Sequence, residues 1–481
     1  MSIARGWYIV IHDGKTLEAA QAWFTAHPGM IAGIELRLDL AGEESPLPDP
    51  PANLSVIVTD RGGRTNHART TRRDQICREW RGTLDVDPQT DAAAPTDLPW
   101  IYSCHRTPDT PVSVQFQIEE AQRSGAVAAK IVMPEGDLAA RRLALAQVAA
   151  DGSYPVVCFN AGDQSPIDRL VALDCQQPWG YARVPADDPG IPGLPSIGAI
   201  VDRYRFRRCE SQRPLQAVIG AEVQNHLAPG WHNRWLEENG SPARMIQFST
   251  DQPDPFLDES DNLQLDALSV SDPYQAWARR VARPLDEDAS RWNRWDTLIR
   301  QPDRSWVGTS CETIAVRRLL QQHFSGHVTV VVVGLEEDSQ MLALELTRLG
   351  YQVSRICTRR GHGPGNSDSR QDTEAVEQAA ALIHCDRSYR TGSRGTKQPD
   401  SSWDLTRFHG ELAIDMSHPL QSHQQWKTLE STAVTVVDSL HFFSEQMRLQ
   451  CRWFHPGVVT AGEVTPVEAL RIAREAFEEL Q

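Results

Sequence analysis

Eight short apolar runs, separated by polar or helical segments, follow one another between residues 8 and 184. One of the intervening segments, VQFQIEEAQRSG, has its apolar residues at the spacing of an amphipathic helix. Each apolar run has the length of a single β-strand. The runs are YIVIHD, GIELRLDL, SVIVTDR, GTLDVD, WIYSCH, AAKIVMP, YPVVCFN and WGYARV. Eight such strands in so short a stretch predict a compact (β/α)8 barrel.

The pattern changes after this region. RYRFRRCESQRP, residues 203–214, is polar and basic and is typical of a linker. Further on, HVTVVVVGLEEDSQMLALELTRLGYQVSRICTRR has the order strand, glycine turn, helix, strand, which predicts a Rossmann-like βαβ unit. The chain ends in TPVEALRIAREAFEELQ, whose threonine, proline and apolar spacing predict a helix. The fold class we expect is therefore α/β throughout.

Composition narrows the classes of function. The 481 residues carry a net charge of −16 without long charged blocks, which argues against nucleic acid or an anionic membrane as the main partner. The longest apolar run, VTVVVVG, is far shorter than the roughly 20 residues of a membrane-spanning helix. The nine cysteines include no C-x-x-C pair, so we expect reduced thiols, no metal site and a cytoplasmic location. We interpret the N-terminal MSIARGWYIVIHDGK as the first strand of the fold and not as a targeting leader.

One lysine is unusual in its setting. The chain has four lysines among its 48 basic residues, and Lys130 lies in the middle of the apolar strand AAKIVMP. A buried lysine must lose its charge or be paired, because desolvation disfavours the ammonium. A neutral amine can form an imine with a ketone, whereas the guanidinium of arginine cannot. A lysine that extends from the strand to pair with Glu35 would give the same pattern, so both interpretations stay open here.

Further polar residues recur at the carboxyl ends of the predicted strands, where a (β/α)8 barrel builds its sites. They are Glu35, Arg37, Arg61 and His105. His105 ends the strand that precedes the strand of Lys130, so its imidazole could approach the amine. With an ordinary pKa of about 6.5, a histidine can accept a proton at neutral pH. A surface histidine that begins a loop would give the same pattern, so the informative feature is the pairing of His105 and Lys130 on adjacent strands.

The motifs GIELRLDL, VIVTDRGG, YSCHRTPDTP, GAVAAKIV and SPIDRLVALD, in this order, resemble type I 3-dehydroquinate dehydratase over about the first 200 residues. The resemblance implies a (β/α)8 barrel in which Lys130 forms an imine with the C3 ketone of 3-dehydroquinate. His105 would then be the general acid/base. Glu35, Arg37, Arg61 and Arg169 match the polar and carboxylate-binding positions of that family. No cofactor is implied for this reaction.

Two segments depart from the pattern of that family. The family has a second glutamate followed by two glycines after the arginine, whereas this chain has RGGRTNHA, so the carboxylate expected near His105 is missing from that segment. The loop that covers the substrate usually has serine and glutamine, and GIPGLPS places Gly190 and Leu194 at those positions. We therefore expect a weakened substrate clamp around the covalent machinery.

From residue 216 onward the chain resembles shikimate dehydrogenase in AVIGAEVQNHLAPGWHNRWLEENG, LSVSDPYQAW, WDTLIR, VGTSCET, the βαβ unit and VVDSLHFFSEQ. At functional positions it departs from that family. The serine pair that holds the shikimate carboxylate falls on His226 and Ala228, and the catalytic lysine falls on Gln275. The Asn-Thr-Asp motif falls on Ser310, Cys311 and Glu312, and a further asparagine falls on Asp296.

The nucleotide-binding turn departs as well. Gly334 is kept, but Glu336, Glu337 and Asp338 follow it, and carboxylates beside a diphosphate would repel it. Arg359 matches the arginine that binds the 2′-phosphate of NADP, and Gln446 matches a glutamine that contacts substrate. Both could equally be solvated surface residues. NADP is therefore a cofactor only if this half is active.

The resemblances divide the chain into a barrel at 1–205, a substrate-binding domain at 214–322 completed by 440–481, and a Rossmann-like domain at 323–439. The leading hypothesis is a Schiff-base 3-dehydroquinate dehydratase acting on a small molecule, fused to a shikimate-dehydrogenase-like part that has lost NADP-dependent activity. A silent ligand-binding or regulatory protein and an active bifunctional enzyme are the alternatives. A homo-oligomer is possible under each.

Overall fold

The computed structural model describes most of the chain, and at 258–262, 335–338, 358, 370–371 and 459 it describes the backbone alone. The described residues are 3–41, 49, 54–61, 67–91, 93–105, 113–134, 154–162, 169–170, 177–206, 214–221, 223, 226–262, 265–358, 370–385, 407–417, 426, 429, 432–459 and 464–480. The chain separates into two compact units, residues 1–214 with 254–264 and residues 215–253 with 265–481. The predicted domain limits stay predictions, including the subdivision of the second unit.

The first unit is built on eight strands that pair in parallel, in the order β7-β6-β5-β4-β3-β2-β1-β8. They are Gly6–Ile11 (β1), Ile31–Arg37 (β2), Ser55–Thr59 (β3), Thr83–Val86 (β4), Trp100–His105 (β5), Ala128–Met133 (β6), Val156–Asn160 (β7) and Trp179–Arg183 (β8). Every apolar run of the sequence thus became one strand. The sheet curves into a nearly closed barrel, which confirms the predicted fold of this half.

The interior of the barrel explains why the strands curve. A single apolar cluster takes buried side chains from β1, β3, β5, β6, β7 and β8. Phe159 of β7 and Tyr181 of β8 meet edge to face with ring centroids 6.0 Å apart, so the two ends of the strand order are close in space. Burial of apolar surface from all sides at once stabilises the closed arrangement over a flat sheet.

Three described helices follow odd-numbered strands of the barrel. They are Gly14–Ala26 (α1), His67–Glu79 (α2) and Val114–Arg123 (α3). Asp13 caps α1, because its carboxylate accepts a hydrogen bond from the Thr16 amide at 2.8 Å, and Ser113 caps α3 in the same way. The connection from β4 to β5 instead consists of turns in its described residues. A short π-helical turn, Ala199–Arg203, follows β8.

The second unit contains two sheets. The first is mixed and has the order β10-β9-β11-β13-β14-β12, with β9 parallel to β10 and β11 and with β13 antiparallel to β11 and β14. Its strands are Leu215–Gly220 (β9), Arg244–Ser249 (β10), Leu265–Val270 (β11), Arg283–Pro284 (β12), Thr297–Arg300 (β13) and Trp306–Thr309 (β14). The helices between residues 228 and 323 are Ala228–Glu238 (α4), Pro253–Asn262 (α5), Gln275–Val281 (α6), Glu287–Ser290 (α7) and Cys311–His323 (α8), and α5 belongs to the first unit from residue 254 onward.

The second sheet of this unit is parallel, in the order β16-β15-β17-β18-β19. Its strands are Thr329–Leu335 (β15), Gln352–Thr358 (β16), Ala381–His384 (β17), Leu412–Asp415 (β18) and Thr435–Val437 (β19), and its helices include Glu336–Arg348 (α9) and Arg370–Gln378 (α10). This doubly wound arrangement confirms the predicted Rossmann-like domain. The strand, helix, strand order predicted around Gly334 is β15, α9 and β16.

The C-terminal helices close the second unit. They are Ser439–Phe454 (α11), Pro456–Val459 (α12) and Pro466–Glu478 (α13), and the last of them is the helix predicted from TPVEALRIAREAFEELQ. One apolar cluster joins α4, α11 and α13, with Trp231 and Ile472 fully buried in it. The indole of Trp231 donates a hydrogen bond to the Ala469 carbonyl at 3.0 Å. Within the described part of the chain, no helix has the length and apolarity needed to span a membrane.

Candidate functional site

The carboxyl ends of the barrel strands surround a cavity of about 500 Å³. Because parallel strands of a barrel all end on one face, side chains that are far apart in sequence converge there. The lining residues are Val10, Glu35, Arg37, Thr59, Arg61, Asp87, Thr90, His105, Lys130, Val132, Phe159, Ala161, Gly162, Arg169, Tyr181, Gly190, Ile191, Pro192 and Leu194. All six residues predicted for this site therefore line one cavity.

Lys130 projects from β6 into the cavity and is surrounded by two carboxylates and an aromatic ring. Its Nζ lies 2.8 Å from Oδ2 of Asp85 and 3.2 Å from Oε1 of Glu35. The same nitrogen lies 4.4 Å from the centre of the Tyr181 ring. Only 7% of the residue is exposed, so the pairing predicted with Glu35 is present and Asp85 adds a second, closer partner. A buried amine with such neighbours is a candidate nucleophile and a structural ion pair at once.

Asp85 is the carboxylate at the centre of this cluster. Burial would raise the pKa of Asp85, but the positive charges of Arg61 and Lys130 outweigh burial and hold the pKa well below its ordinary range. Asp85 therefore carries its negative charge at neutral pH. It accepts hydrogen bonds from Arg61 at 2.7 Å and from Lys130 at 2.8 Å.

Arg61 connects the elements around the cavity. Its guanidinium donates to Asp85 and Asp91, each at 2.7 Å, and to the hydroxyl of Ser103 at 3.0 Å. Its charge is thus already balanced by two nearly fully buried carboxylates. Arg61 holds the cavity wall together through these bonds.

His105 ends β5 and lies beside a carboxylate that the sequence did not indicate. Its Nδ1 is 3.2 Å from Oδ2 of Asp87, which directly follows β4. Burial would raise the pKa of Asp87, but the hydrogen bond with His105 and the Gln89 amide lower it overall. The imidazole is 43% exposed, so it faces the open side of the cavity.

The remaining predicted positions of the barrel, Arg37 and Arg169, also line the cavity. Arg37 donates to both carboxylate oxygens of Asp39, at 2.9 and 2.6 Å. The guanidinium carbon of Arg169 lies 4.1 Å from the centre of the Phe159 ring. Gly190 and Leu194 line the cavity, as expected for the covering loop.

Asp85 and Asp87 are the two site residues that sequence reasoning missed. Both lie in TLDVD, where they alternate with apolar residues and therefore share one face of the strand. An acidic residue facing inward from a barrel strand is rarely buried without a partner. This alternation is the signal that the sequence offers for the two acids.

In the second unit, Asp296 directly precedes β13 and is buried, and its carboxylate lies at the N-terminus of α8. Its carboxylate accepts hydrogen bonds from the amides of Cys311 at 2.9 Å and Glu312 at 2.7 Å, and from the Thr297 hydroxyl at 2.5 Å. Gln446 donates a further bond at 2.9 Å. Burial first, and the charge of Glu312 second, raise the pKa of Asp296 to about 6.

The other departures from the dehydrogenase pattern lie next to this group. Gln275 donates to Glu312 at 3.4 Å and accepts from Arg294 at 3.1 Å. Ser310 caps α8 by accepting from the Thr313 amide. His226 accepts a hydrogen bond from the Ala228 amide at 3.2 Å. Gln275, Glu312, Asp296 and Gln446 thus bond to one another or to their surroundings, and none of them is a cation that could hold a carboxylate ligand.

The turn after β15 does not fit a dinucleotide. β15 ends at Leu335 and α9 begins at Glu336, so no loop residue separates strand from helix. Phosphate sites of this fold use such a loop to bring backbone amides to the pyrophosphate. A Cβ on Gly334 would lie 2.7 Å from the Cys385 sulfur and 3.1 Å from its carbonyl carbon, so this glycine serves the packing of β15 against the segment after β17. The side chains of Glu336, Glu337 and Asp338, and the whole of Arg359, lie outside the described residues.

Among the side chains that the structure describes, no group of three or more histidines, cysteines or acids is arranged to hold a metal ion.

No protein-family model matches the chain. It is 22% identical over 295 residues to the bifunctional 3-dehydroquinate dehydratase/shikimate dehydrogenase of Arabidopsis thaliana, an alignment that covers 56% of this chain and 48% of that protein. It is 24% identical over 154 residues to the NADP(+) shikimate dehydrogenase of Syntrophobacter fumaroxidans, covering 31% of this chain and 53% of that protein. The chain spans about half the length of each of these curated relatives.

Two solved structures are also similar to parts or all of this chain. The dehydroquinate dehydratase and shikimate dehydrogenase from S. pombe matches with a TM-score of 0.40 and 15% identity, covering 98% of both chains. The shikimate dehydrogenase from Aquifex aeolicus matches with a TM-score of 0.42 and 14% identity, covering 55% of this chain and 98% of that chain. On the sequence comparison, this chain is a distant homologue of the bifunctional 3-dehydroquinate dehydratase/shikimate dehydrogenase.

Proposed function

We propose that the barrel is a Schiff-base 3-dehydroquinate dehydratase and that the second unit has lost NADP-dependent shikimate dehydrogenase activity. The observation that carries the first part is the position of Lys130, which is buried in a cavity that His105 also lines. The homologue supports the substrate class, since its name includes this reaction.

In the proposed reaction the ammonium of Lys130 passes a proton to Glu35, and the neutral amine attacks the C3 ketone of 3-dehydroquinate. The ketone oxygen then leaves as water with that proton and a second one from the nitrogen, which gives an iminium. The iminium withdraws electrons and acidifies C2. His105 removes the C2 proton, and the resulting enamine expels the C1 hydroxyl, which leaves as water with that proton. Water then hydrolyses the iminium, which frees Lys130 and releases 3-dehydroshikimate.

The charged groups of the cavity have distinct proposed roles. The substrate carries a carboxylate, and we assign this group to Arg169, which lies over Phe159 at the cavity wall. Glu35 accepts hydrogen bonds from Thr59 at 2.8 Å and from Lys130 at 3.2 Å, and it is available to exchange protons with the amine. Arg37 and Arg61 already donate to acids of this chain, so their proposed role is to hold the cavity in shape.

The experiment that tests the proposal is reduction with borohydride in the presence of 3-dehydroquinate. We expect one covalent adduct per chain, located at Lys130 by peptide mass spectrometry, and loss of activity upon trapping. Lys15 is exposed and serves as an internal control that should stay unmodified. Lys130→Arg should form no adduct. Absence of an adduct on the wild-type protein, or full activity of Lys130→Arg, would refute the Schiff-base mechanism.

The second part of the proposal follows from the lack of fit between the turn after β15 and a dinucleotide. Gln275 and Glu312 add to this, because they replace a catalytic lysine and aspartate of the resembled family by residues that bond to each other. Ligand stabilisation without turnover in either half would instead favour a regulatory protein.

All seven cysteines that the structure describes are free thiols, which supports the proposed cytoplasmic location.

A further inference from the structure

We propose that Asp87 is the positioning residue of His105, taking the place of the glutamate that the segment RGGRTNHA lacks. This inference rests on the proposed dehydration and deepens it. In that reaction one ring nitrogen of the histidine must be unprotonated and must point at the carbon whose proton it removes. A carboxylate that is hydrogen-bonded to the other ring nitrogen commonly fixes both the tautomer and the orientation of the ring.

The contacts of Asp87 determine which ring nitrogen of His105 carries the proton. Oδ2 lies 3.2 Å from Nδ1 of His105, and Oδ1 accepts the Gln89 amide at 2.9 Å. An ionised carboxylate only accepts hydrogen bonds, so Nδ1 must carry the proton. Nε2 is then left with its lone pair, as a general base requires.

The carboxylate of Asp87 is itself held in place. Its side chain is 6% exposed, against 43% for the imidazole, so the pair has a buried end and an open end. The Asp87 amide donates to Asp91 at 2.9 Å, and Asp91 accepts from Arg61 at 2.7 Å. A residue on a rigid, satisfied support can orient a ring that would otherwise rotate.

The same support reaches the lysine. Arg61 also donates to Asp85 at 2.7 Å, and Asp85 accepts from Lys130 at 2.8 Å. Asp85 in β4 and Asp87 directly after β4 face the same side of the chain, so this one segment supplies a carboxylate to each of the two proposed reacting groups. The segment thereby connects the histidine to the lysine.

The test compares three variants of the full-length protein. Asp87→Asn places an amide where the carboxylate was, and its NH2 group can donate to Nδ1 and favour the wrong tautomer. We expect kcat to fall about 100-fold to 10,000-fold while KM changes less than about threefold. Asp87→Glu keeps the charge and should recover kcat to within about tenfold of wild type. Asp97→Asn makes the same chemical change on the same β4–β5 connection at an exposed position and should change kcat less than about twofold.

A second measurement needs no variant. The 15N chemical shifts of His105 in the wild-type protein should show a protonated Nδ1 and an unprotonated Nε2 at neutral pH. A histidine with its proton on Nε2, or Asp87→Asn with kcat within twofold of wild type, overturns the inference. A rise in KM at constant kcat also overturns it, because Asp87 would then bind substrate.

The borohydride adduct separates this inference from the proposed function. Lys130 stays in place in Asp87→Asn, so the adduct should still form after long incubation with 3-dehydroquinate. If the wild-type protein forms no adduct, the dehydratase proposal fails. If the adduct forms and the Asp87 variants behave like wild type, only the role of Asp87 fails.

Discussion

Lys130 joins two requirements that usually exclude each other. A buried ammonium needs carboxylate partners, and removing one partner of a buried pair typically costs about 3 to 5 kcal/mol. A nucleophilic amine needs to shed its proton. The arrangement at Lys130 meets the first requirement, because Asp85 and Glu35 balance the charge of the ammonium. In the proposed reaction it meets the second by transfer of the proton to Glu35, which lies 3.2 Å from Nζ.

A pair of acids at the beginning of α8 should make stability depend on pH. Burial and the charge of Glu312 raise the pKa of Asp296 from 3.8 to about 6. A carboxyl group whose pKa is higher in the folded than in the unfolded protein stabilises the fold only while protonated. This contribution is fully present below about pH 4 and is lost as pH rises through about 6.

Glu312→Gln removes the neighbouring charge, and its amide oxygen can still accept from Gln275. The whole pKa shift of Asp296 corresponds to about 3 kcal/mol of stability, and the charge of Glu312 causes the smaller part of it. The variant also loses a favourable acid at a helix N-terminus, which reduces the gain in stability by about 0.5 kcal/mol. We expect the variant to unfold with a free energy about 1 kcal/mol above wild type at pH 7.5 and with little difference at pH 4.5, measured by urea denaturation. Glu287→Gln, at an exposed position, should show no such dependence. An equal gain at both pH values would contradict this account.

At the scale of elements, α13 completes the apolar cluster that joins α4 and α11. Ile472 is fully buried in it, whereas Val467 on the same helix is 81% exposed. Ile472→Ala should lower the free energy of unfolding by about 3 kcal/mol, because it removes buried methyl groups and leaves a cavity. Val467→Ala should stay within about 0.5 kcal/mol of wild type. Hydrogen exchange of the amides in 466–478 measures both, and similar losses in the two variants would contradict the proposed packing.

The elements themselves could be predicted, since hydrophobic periodicity is local. Each of the eight runs formed one strand, and threonine and proline at 465 and 466 began the last helix as expected. The turn after β15 could not be predicted, because whether a glycine opens a phosphate loop or packs against a neighbour depends on a distant segment. Cys385, which contacts Gly334, lies in another strand connection.

At the scale of the whole molecule, one unit contains a cavity lined by the buried amine of Lys130, and the other contains a Rossmann-like sheet in which helix α9 follows β15 directly. The full-length protein should therefore convert 3-dehydroquinate to 3-dehydroshikimate and form no NADPH from NADP and shikimate. The absorbance of NADPH measures the second reaction, and dehydration in the same preparation serves as the positive control. NADPH formation that saturates with shikimate would refute the proposed loss.

The candidate site was predictable only in part, because its contacts join residues that are far apart in the sequence. Lys130 and His105 could be chosen because adjacent strands place their ends side by side. The contacts of Lys130 with Glu35 and Asp85 span 95 and 45 residues of sequence, and no local pattern determines which carboxylate meets which cation. The acids of β4 were therefore visible in the sequence only as alternation and acquired a role through the closure of the barrel.

That alternation has a consequence for how the protein can change. Asp85 and Asp87 are separated by one residue, about 7 Å along a strand, so a single inserted or deleted residue in β4 would turn one of them to the outside of the barrel. Point substitutions can alter either acid independently, whereas a length change breaks the alternation by which both acids face the same side. Laboratory evolution of this barrel should therefore tolerate insertions in the β4–β5 connection and reject them within TLDVD, and a graft of these five residues would carry both acids into a related barrel as one transferable piece.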